Sequence, residues 1–431
     1  MVKTSTNLSS DPVEMLLHCL TLGIATGLYG LQLTNLINDA VVGDPKIRVG
    51  GTGLGIIDPE YINLMVTGHQ ESLFIHIMER IASPAAAELA RSAGAKGFRV
   101  VGCTCVGQDM QQRAECYGEY FYGNAGNNFT SEAILATGAV DGVISEFNCT
   151  LPGIETVCET YDIVQICIDK VAKKKNAELM DWDDDSILDK IAEAYCRRRK
   201  NVKIHIPDHG FKDSMAGISE INLKQFLGGE WKPLLDLIVS GKIKGIVGVV
   251  GCSSVREGHD VLTVQLTREL IKRDILVLTA GCSSGALANC GLTRREAALE
   301  AGAGLREICQ SLGIPPVLNF GPCIAIGRLE MAAAELAEEL SVDMPQLPLA
   351  FSAAQWLEEQ ALADGAFGLS LGLTLHLGLP PYMTGSKTVV QVLTKDMETL
   401  TGGRLIIDNN PKTAADQLEA AIMDKRKALN I

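Results

Sequence analysis

No C-x-x-C pair occurs anywhere in this chain of 431 residues, although it contains 13 cysteines. A zinc ribbon, a thioredoxin-type site and a ferredoxin-type cluster loop all need such close pairs, so all three are disfavoured. An excess of positive charge is missing too: Lys+Arg total 38 against Asp+Glu 52, a net charge of −14. That balance argues against a nucleic-acid partner and against an anionic membrane surface. The nucleotide fingerprints are absent. Gly50-Gly-Thr-Gly-Leu-Gly55 is glycine-rich but has neither the G-x-G-x-x-G spacing nor a Walker lysine, which leaves no basis for NAD or ATP as a cofactor. The opening MVKTSTNLSSDPVEM lacks a basic segment followed by an apolar one, so it does not read as a signal peptide and the expected location is the cytoplasm.

An uncharged stretch of membrane length does occur, from Met15 to Asn38. It carries His18, Gln32, Asn35 and three glycines, with apolar residues at helical spacing. The expectation is a buried amphipathic helix pair with a break near Gly27–Gly30, rather than a membrane span.

Beyond this helical leader, short β-branched runs alternate with Ala- and Glu-rich helical segments. Strands are expected at Ile62–Val66, Phe98–Val101, Gly142–Ser145, Ile163–Ile168, Lys203–Ile206, Ile246–Val250, Ile275–Thr279 and Val317–Phe320. Helices are expected between them, among them Glu71–Ala95, Ser131–Thr137, Ser186–Arg199, Ser254–Arg273, Arg294–Leu312 and Arg328–Leu340. Continuous apolar strands separated by helices of this length read as βαβ units with parallel sheets. The fold class is therefore α/β: a helical leader over residues 1–47, and two Rossmann-like parallel-sheet domains over 48–200 and 201–431. The charged stretch around residues 170–205 reads as a linker whose Lys, Asp and Arg runs are solvated or locally paired.

Five cysteines share one local context. Cys105 ends FRVVGCTC, Cys149 ends DGVISEFNC, Cys252 ends GIVGVVGC, Cys282 ends DILVLTAGC and Cys323 ends PPVLNFGPC. His69 is placed alike, ending YINLMVTGH. Each stands at or just past the C-terminal end of an expected parallel strand, where open α/β sheets bind ligands. The glycines beside most of them allow close approach and offer amide donors to sulfur. Cys167 falls inside a strand, and Cys19, Cys158, Cys196 and Cys309 fall in helices, where a free cysteine is most often a small core hydrophobe. Cys103, Cys116 and Cys290 stay open. A single strand-end cysteine would prove little. Five plus a histidine, drawn from two domains, point to an iron–sulfur or mixed-metal cluster clamped between those domains.

At these residues the chain resembles the anaerobic nickel–iron carbon monoxide dehydrogenases and, more distantly, the hybrid-cluster proteins (hydroxylamine reductases). The similarity runs from DPVEMLLHCLTLG to PPYMTGSKTVVQVLT and LTGGRLIIDNNP. It implies one nickel–iron–sulfur cluster related to a 4Fe–4S framework. His69 and Cys105 would hold its outlying iron, Cys149, Cys252 and Cys282 the framework irons, and Cys323 the nickel. The histidine needs an orienting partner that the sequence does not identify.

The resemblance also exposes departures. Family members have an N-terminal domain whose cysteines bind further clusters and which supplies a proton-transfer histidine, whereas only Cys19 precedes residue 103 here. An external electron-transfer protein is therefore expected. The family's acid/base lysine aligns with Gln360, which carries no exchangeable charge. In hybrid-cluster proteins a glutamate two residues earlier ligates the cluster, and Glu358 aligns with it; a surface carboxylate is the alternative. That family, however, has a glutamate where this chain has Cys105. The expected function is redox chemistry on CO/CO2 or a similar small molecule, with reduced CO turnover. The alternatives are hydroxylamine-reductase-like chemistry on an iron-only cluster, or a non-enzymatic CO or redox sensor or accessory subunit. Apolar residues of the leader would favour a homodimer or a partner protein.

Overall fold

The computed structural model describes residue 6 and residues 8–69, 71–113, 118–146, 148–256 and 258–431. Cys116 lies outside the described residues. The chain divides into two compact units, one comprising Asn38–Ile218 with Ser284–Arg294, the other Met1–Ile37, Ser219–Ser283 and Arg295–Ile431.

The first unit is built on eight strands: β1 (Arg48–Thr52), β2 (Ile62–Thr67), β3 (Phe98–Cys103), β4 (Phe121–Gly126), β5 (Gly142–Ser145), β6 (Val164–Cys167), β7 (Glu178–Leu179) and β8 (Phe211–Ala216). Their order is β7-β6-β5-β2-β3-β4-β1-β8. All pair in parallel except β8, which runs antiparallel to β1. The second unit has six: β9 (Gly245–Val249), β10 (Ile275–Thr279), β11 (Val317–Asn319), β12 (Leu349–Ala353), β13 (Thr374–Leu377) and β14 (Arg404–Ile407), in the order β11-β10-β9-β12-β13-β14. That is a doubly wound Rossmann order, in which the strand order reverses between the parallel neighbours β9 and β12. The first sheet repeats it, reversing between β2 and β5, with β1 and β8 added at one edge.

The strands read from apolar runs are present, because residues such as Ile62, Leu64, Val100, Val247 and Val277 are buried on both sheet faces. Lys203–Ile206 forms no strand. It follows the helix Ser186–Asn201 without regular secondary structure, mostly exposed, and His205 N donates to Thr137 O at 2.9 Å. The expected helix Glu71–Ala95 is two, Glu71–Ile81 and Pro84–Ser92, because Ser83 caps a new start with proline at its first turn. The stretch read as a linker contains Ser186–Asn201, whose Ile187, Leu188, Ile191 and Tyr195 enter the first unit's core. In the same helix Arg198 is buried and pairs with Asp141 at 2.6 Å.

The leader departs from expectation in two ways. Instead of breaking near Gly27–Gly30, the helix continues from Pro12–Ala25 through a π-helical turn, Thr26–Leu33, into Thr34–Val42. Gly27 permits close packing: a Cβ there would lie 2.0 Å from a Phe367 ring atom. Nor is the helix buried all round. Leu16, Leu20, Leu31 and Asn35 are buried within the second unit, to which this part of the helix belongs, with Asn35 donating to Ile324 O at 2.6 Å, while Leu17, Leu28, Leu33 and Leu36 are exposed. Cys19 is also exposed and is no core residue. The span Pro12–Val42 is long and apolar enough to cross a membrane by length and composition.

Candidate metal centre

In the first unit, His69, Cys105 and Cys149 follow β2, β3 and β5. The chain turns sharply at each. Gly68 has φ 124°, Thr104 φ 58° and Cys149 itself φ 53°. A left-handed conformation costs a residue with a side chain about 1 kcal/mol or more, so two non-glycine examples must be held by their surroundings. Thr104 is held by its own hydroxyl, which receives Gly68 N at 2.8 Å while Val106 N bonds to Gly68 O at 2.8 Å. The loops after β2 and β3 are thereby locked together.

His69 Nδ1 lies 2.6 Å from Glu146 Oε1. Glu146 follows β5, is 3% exposed and packs beneath Gly68, where a Cβ would come within 2.1 Å of Glu146 Cγ. A carboxylate oxygen accepts, so Nδ1 carries the hydrogen and Nε2 keeps its lone pair for a metal. This is the orienting partner that the sequence left unidentified. An acid just past a strand end, three residues before Cys149, was the only signal in the sequence, and its burial was not part of it.

The second unit shows the same construction. Cys252, Cys282 and Cys323 follow β9, β10 and β11, and Gly251, Gly281 and Gly321 have φ of 104°, 78° and 97°. Gly281 N donates to Gly321 O at 2.8 Å and Ser283 N to Gly251 O at 3.2 Å. Glycine at 281 is required, since a Cβ would stand 2.9 Å from Cys323 Sγ. Cys252 and Glu358 lie at the point where the strand order reverses, and the backbone N–H groups of Glu358 and Leu357 reach the Cys252 sulfur. Burial pushes the Cys252 thiol up to about 12, the charge of Cys323 adds to this, and the two amides oppose it. Amide donors to sulfur and a deprotonating metal are what such a thiol needs to act as a ligand.

Glu358 is half-buried directly before the helix Glu359–Ser370, while Gln360 is exposed and donates from Nε2 to Asp364 Oδ1 at 2.7 Å. Cys103 is buried at the end of β3, its thiol engaged with Asn127 O at 3.2 Å. Cys158, Cys167 and Cys309 are buried, Cys196 is half-buried and Cys290 is exposed. Among the described residues, no three His, Cys, Asp or Glu side chains converge on a site for a single ion. Cluster donors need not converge in that way, because they are shared out over several metal atoms. Soft thiolates with one imidazole, on loops rich in left-handed turns and amide donors, suit an iron–sulfur framework bearing a second metal.

Residues 1–412 match the Prismane/CO dehydrogenase family. Over 439 residues the chain is 47% identical to the carbon monoxide dehydrogenase of Methanocaldococcus jannaschii, covering 100% of this chain and 70% of that protein. A nickel-free, as-isolated carbon monoxide dehydrogenase from Thermococcus sp. AM4 superposes with a TM-score of 0.92 at 34% identity, covering 98% of this chain and 67% of that one. One chain of an acetyl-CoA synthase/carbon monoxide dehydrogenase, a structure described for the nickel–zinc and nickel–nickel Fe4S4 clusters of its alpha subunits, gives 0.91 at 25% identity over 98% of this chain and 64% of that one.

Proposed function

This chain belongs to the Prismane/CO dehydrogenase family, and from that premise we propose that it is a carbon monoxide dehydrogenase-type oxidoreductase carrying one nickel–iron–sulfur cluster. His69, Cys105, Cys149, Cys252, Cys282 and Cys323 are its proposed donors. The observation that carries the reading is the recurrence of one local design: all six residues follow parallel strands, each at or within two residues of a left-handed turn. A bound cluster would supply a low-valent metal able to bind CO and to pass electrons on.

The chain's own residues do the rest. Glu146 holds the His69 ring and its tautomer. The amides of Leu357 and Glu358 offset charge on Cys252. Gln360 cannot give or take a proton, so acid/base work falls to other groups. The substrate is a small molecule, with an external electron-transfer protein as acceptor, in the cytoplasm. The exposed leucines of the leader helix support pairing into a homodimer.

Anaerobic purification with nickel, iron and sulfide quantification tests this, together with CO-dependent reduction of a viologen. About four to five irons with one nickel per chain are expected. Fewer than about two irons after reconstitution removes the cluster reading. Glu358 supports one second reading. Its half-buried position beside Cys252 suits an oxygen ligand on an iron-only cluster reducing hydroxylamine, and iron without nickel would favour it.

A further inference from the structure

Two acidic side chains of the second unit are buried with no cation acting on them among the described residues. Glu330, on the helix Ile326–Leu340, is 2% exposed, and Asp364, on the helix Glu359–Ser370, is 8% exposed. The groups acting on them are one another, Cys323 and the Gln360 amide, with no Lys, Arg or His among them. Both line a cavity of about 30 Å³ whose wall also includes Gly251, Phe351 and Thr374. That is room for water where polar partners exist, and Glu330 Oε2 is a buried oxygen with no hydrogen-bond partner. Gly251 immediately precedes Cys252, and Gln360, bonded to Asp364 Oδ1, is exposed. The cavity thus runs from a metal-centre loop to a carboxyl whose other contact faces solvent.

Two carboxyls sharing one apolar site without a counter-charge cannot both be ionised. Burial pushes Glu330 well above the usual carboxylate range, with the charge of Asp364 adding to it. Burial likewise raises Asp364.

We propose that Glu330 and Asp364 form a buried proton-holding pair that exchanges protons with the metal centre through water in their shared cavity. This rests on the cluster reading above. Oxidation of CO by water to CO2 releases two protons and two electrons. The electrons leave singly to two external one-electron carriers, and the protons pass in turn through cavity water to the one ionised carboxylate of the pair, the first being released to solvent before the second arrives. Each transfer breaks a water O–H bond as a carboxyl O–H bond forms. In this chain the pair takes the part that Gln360 cannot play.

The test is infrared difference spectroscopy, oxidised against reduced, on the anaerobically purified metal-loaded chain in H2O and in D2O. A protonated-carboxyl band that shifts in D2O and changes with redox state is expected. It should disappear in Glu330→Gln or in Asp364→Asn at unchanged iron content. In the same variants kcat for viologen-coupled CO oxidation should fall about 10²-fold at unchanged KM, with one limb of the pH profile lost. A wild-type spectrum without such a band overturns the proposal, as do variants that keep the wild-type kcat and pH profile. Absence of iron and sulfide from the wild-type chain would instead bring down the cluster reading, and this inference with it.

Discussion

The 2.6 Å contact between His69 Nδ1 and Glu146 Oε1 joins the ends of β2 and β5, the two strands between which the strand order of the first sheet reverses. Such carboxylate–imidazole contacts fix ring orientation and raise ligand basicity, and losing them typically costs 10–100-fold in metal affinity. Glu146→Ala should weaken iron retention by about that factor, while Glu146→Gln, which keeps an acceptor oxygen, should weaken it less. Iron per chain during competition with a chelator under anaerobic conditions measures both. Equal retention in wild type and Glu146→Ala would show that the ring needs no help.

The cysteines should separate chemically. Burial pushes the thiols of Cys103, Cys158 and Cys309 up to about 12, and the thiolate is the reactive form. At pH 7.5 alkylation of the folded protein should be rapid at exposed Cys19 and Cys290 and negligible at these three. Peptide mass mapping reads this out. Cys309→Ala should leave the iron content unchanged, whereas Cys323→Ala should lower nickel. Modification of Cys158 as fast as Cys19 would contradict the packing.

Patterning revealed many of the strands that bury apolar side chains on both faces, but not β12 or β13, although both are buried throughout. Ile62–Thr67 and Ile275–Thr279 are legible because every residue in them is buried. By contrast β1 and β4, with Gly50-Gly-Thr52 and Tyr122-Gly-Asn-Ala-Gly126, carry too little side chain to show periodicity. They are strands because their backbones pack closely, a Cβ on Gly123 standing 2.0 Å from Gly51 O. The six candidate donors were visible as strand-end residues. Their geometry was not, because the left-handed turns at Thr104 and Cys149 belong to residue types with no preference for them. Glu146 and Glu330 escaped for a different reason: a carboxyl looks like a solvated side chain until its neighbours are known.

His376 gives acid sensitivity a location. It is fully buried between β12 and β14, with Ser352 Oγ 2.8 Å from Nδ1 and Asp408 O 2.8 Å from Nε2. A carbonyl only accepts, so Nε2 donates, Nδ1 accepts from the serine hydroxyl, and the ring is neutral. Burial lowers its pKa, partly opposed by Asp408. The unfolded chain therefore takes up a proton that the folded one resists. This contribution is complete above the unfolded value of about 6.5 and is lost as the pH falls from there through the folded value. Its slope cannot exceed about 1.4 kcal/mol per pH unit. Urea midpoints between pH 7.5 and 5.0 should fall for wild type, and less steeply for His376→Asn. Parallel curves would place the sensitivity elsewhere.

Arg328 and Glu220 form a buried pair in the second unit, the guanidinium Nη1 lying 2.9 Å from Oε1 and 3.2 Å from Oε2, with exposures of 1% and 2%. Desolvating both ions costs much of what their attraction returns, so the intact pair adds little net stability. Removing one partner is another matter. Glu220→Gln removes the carboxylate charge from a buried guanidinium and should cost about 3–5 kcal/mol, read as a lower urea midpoint at unchanged m. The double variant Glu220→Leu with Arg328→Met should recover most of that loss, because no buried charge remains. A double variant no more stable than Glu220→Gln would mean that the pair's hydrogen bonds, rather than the unpaired charge, set the stability of this helix contact.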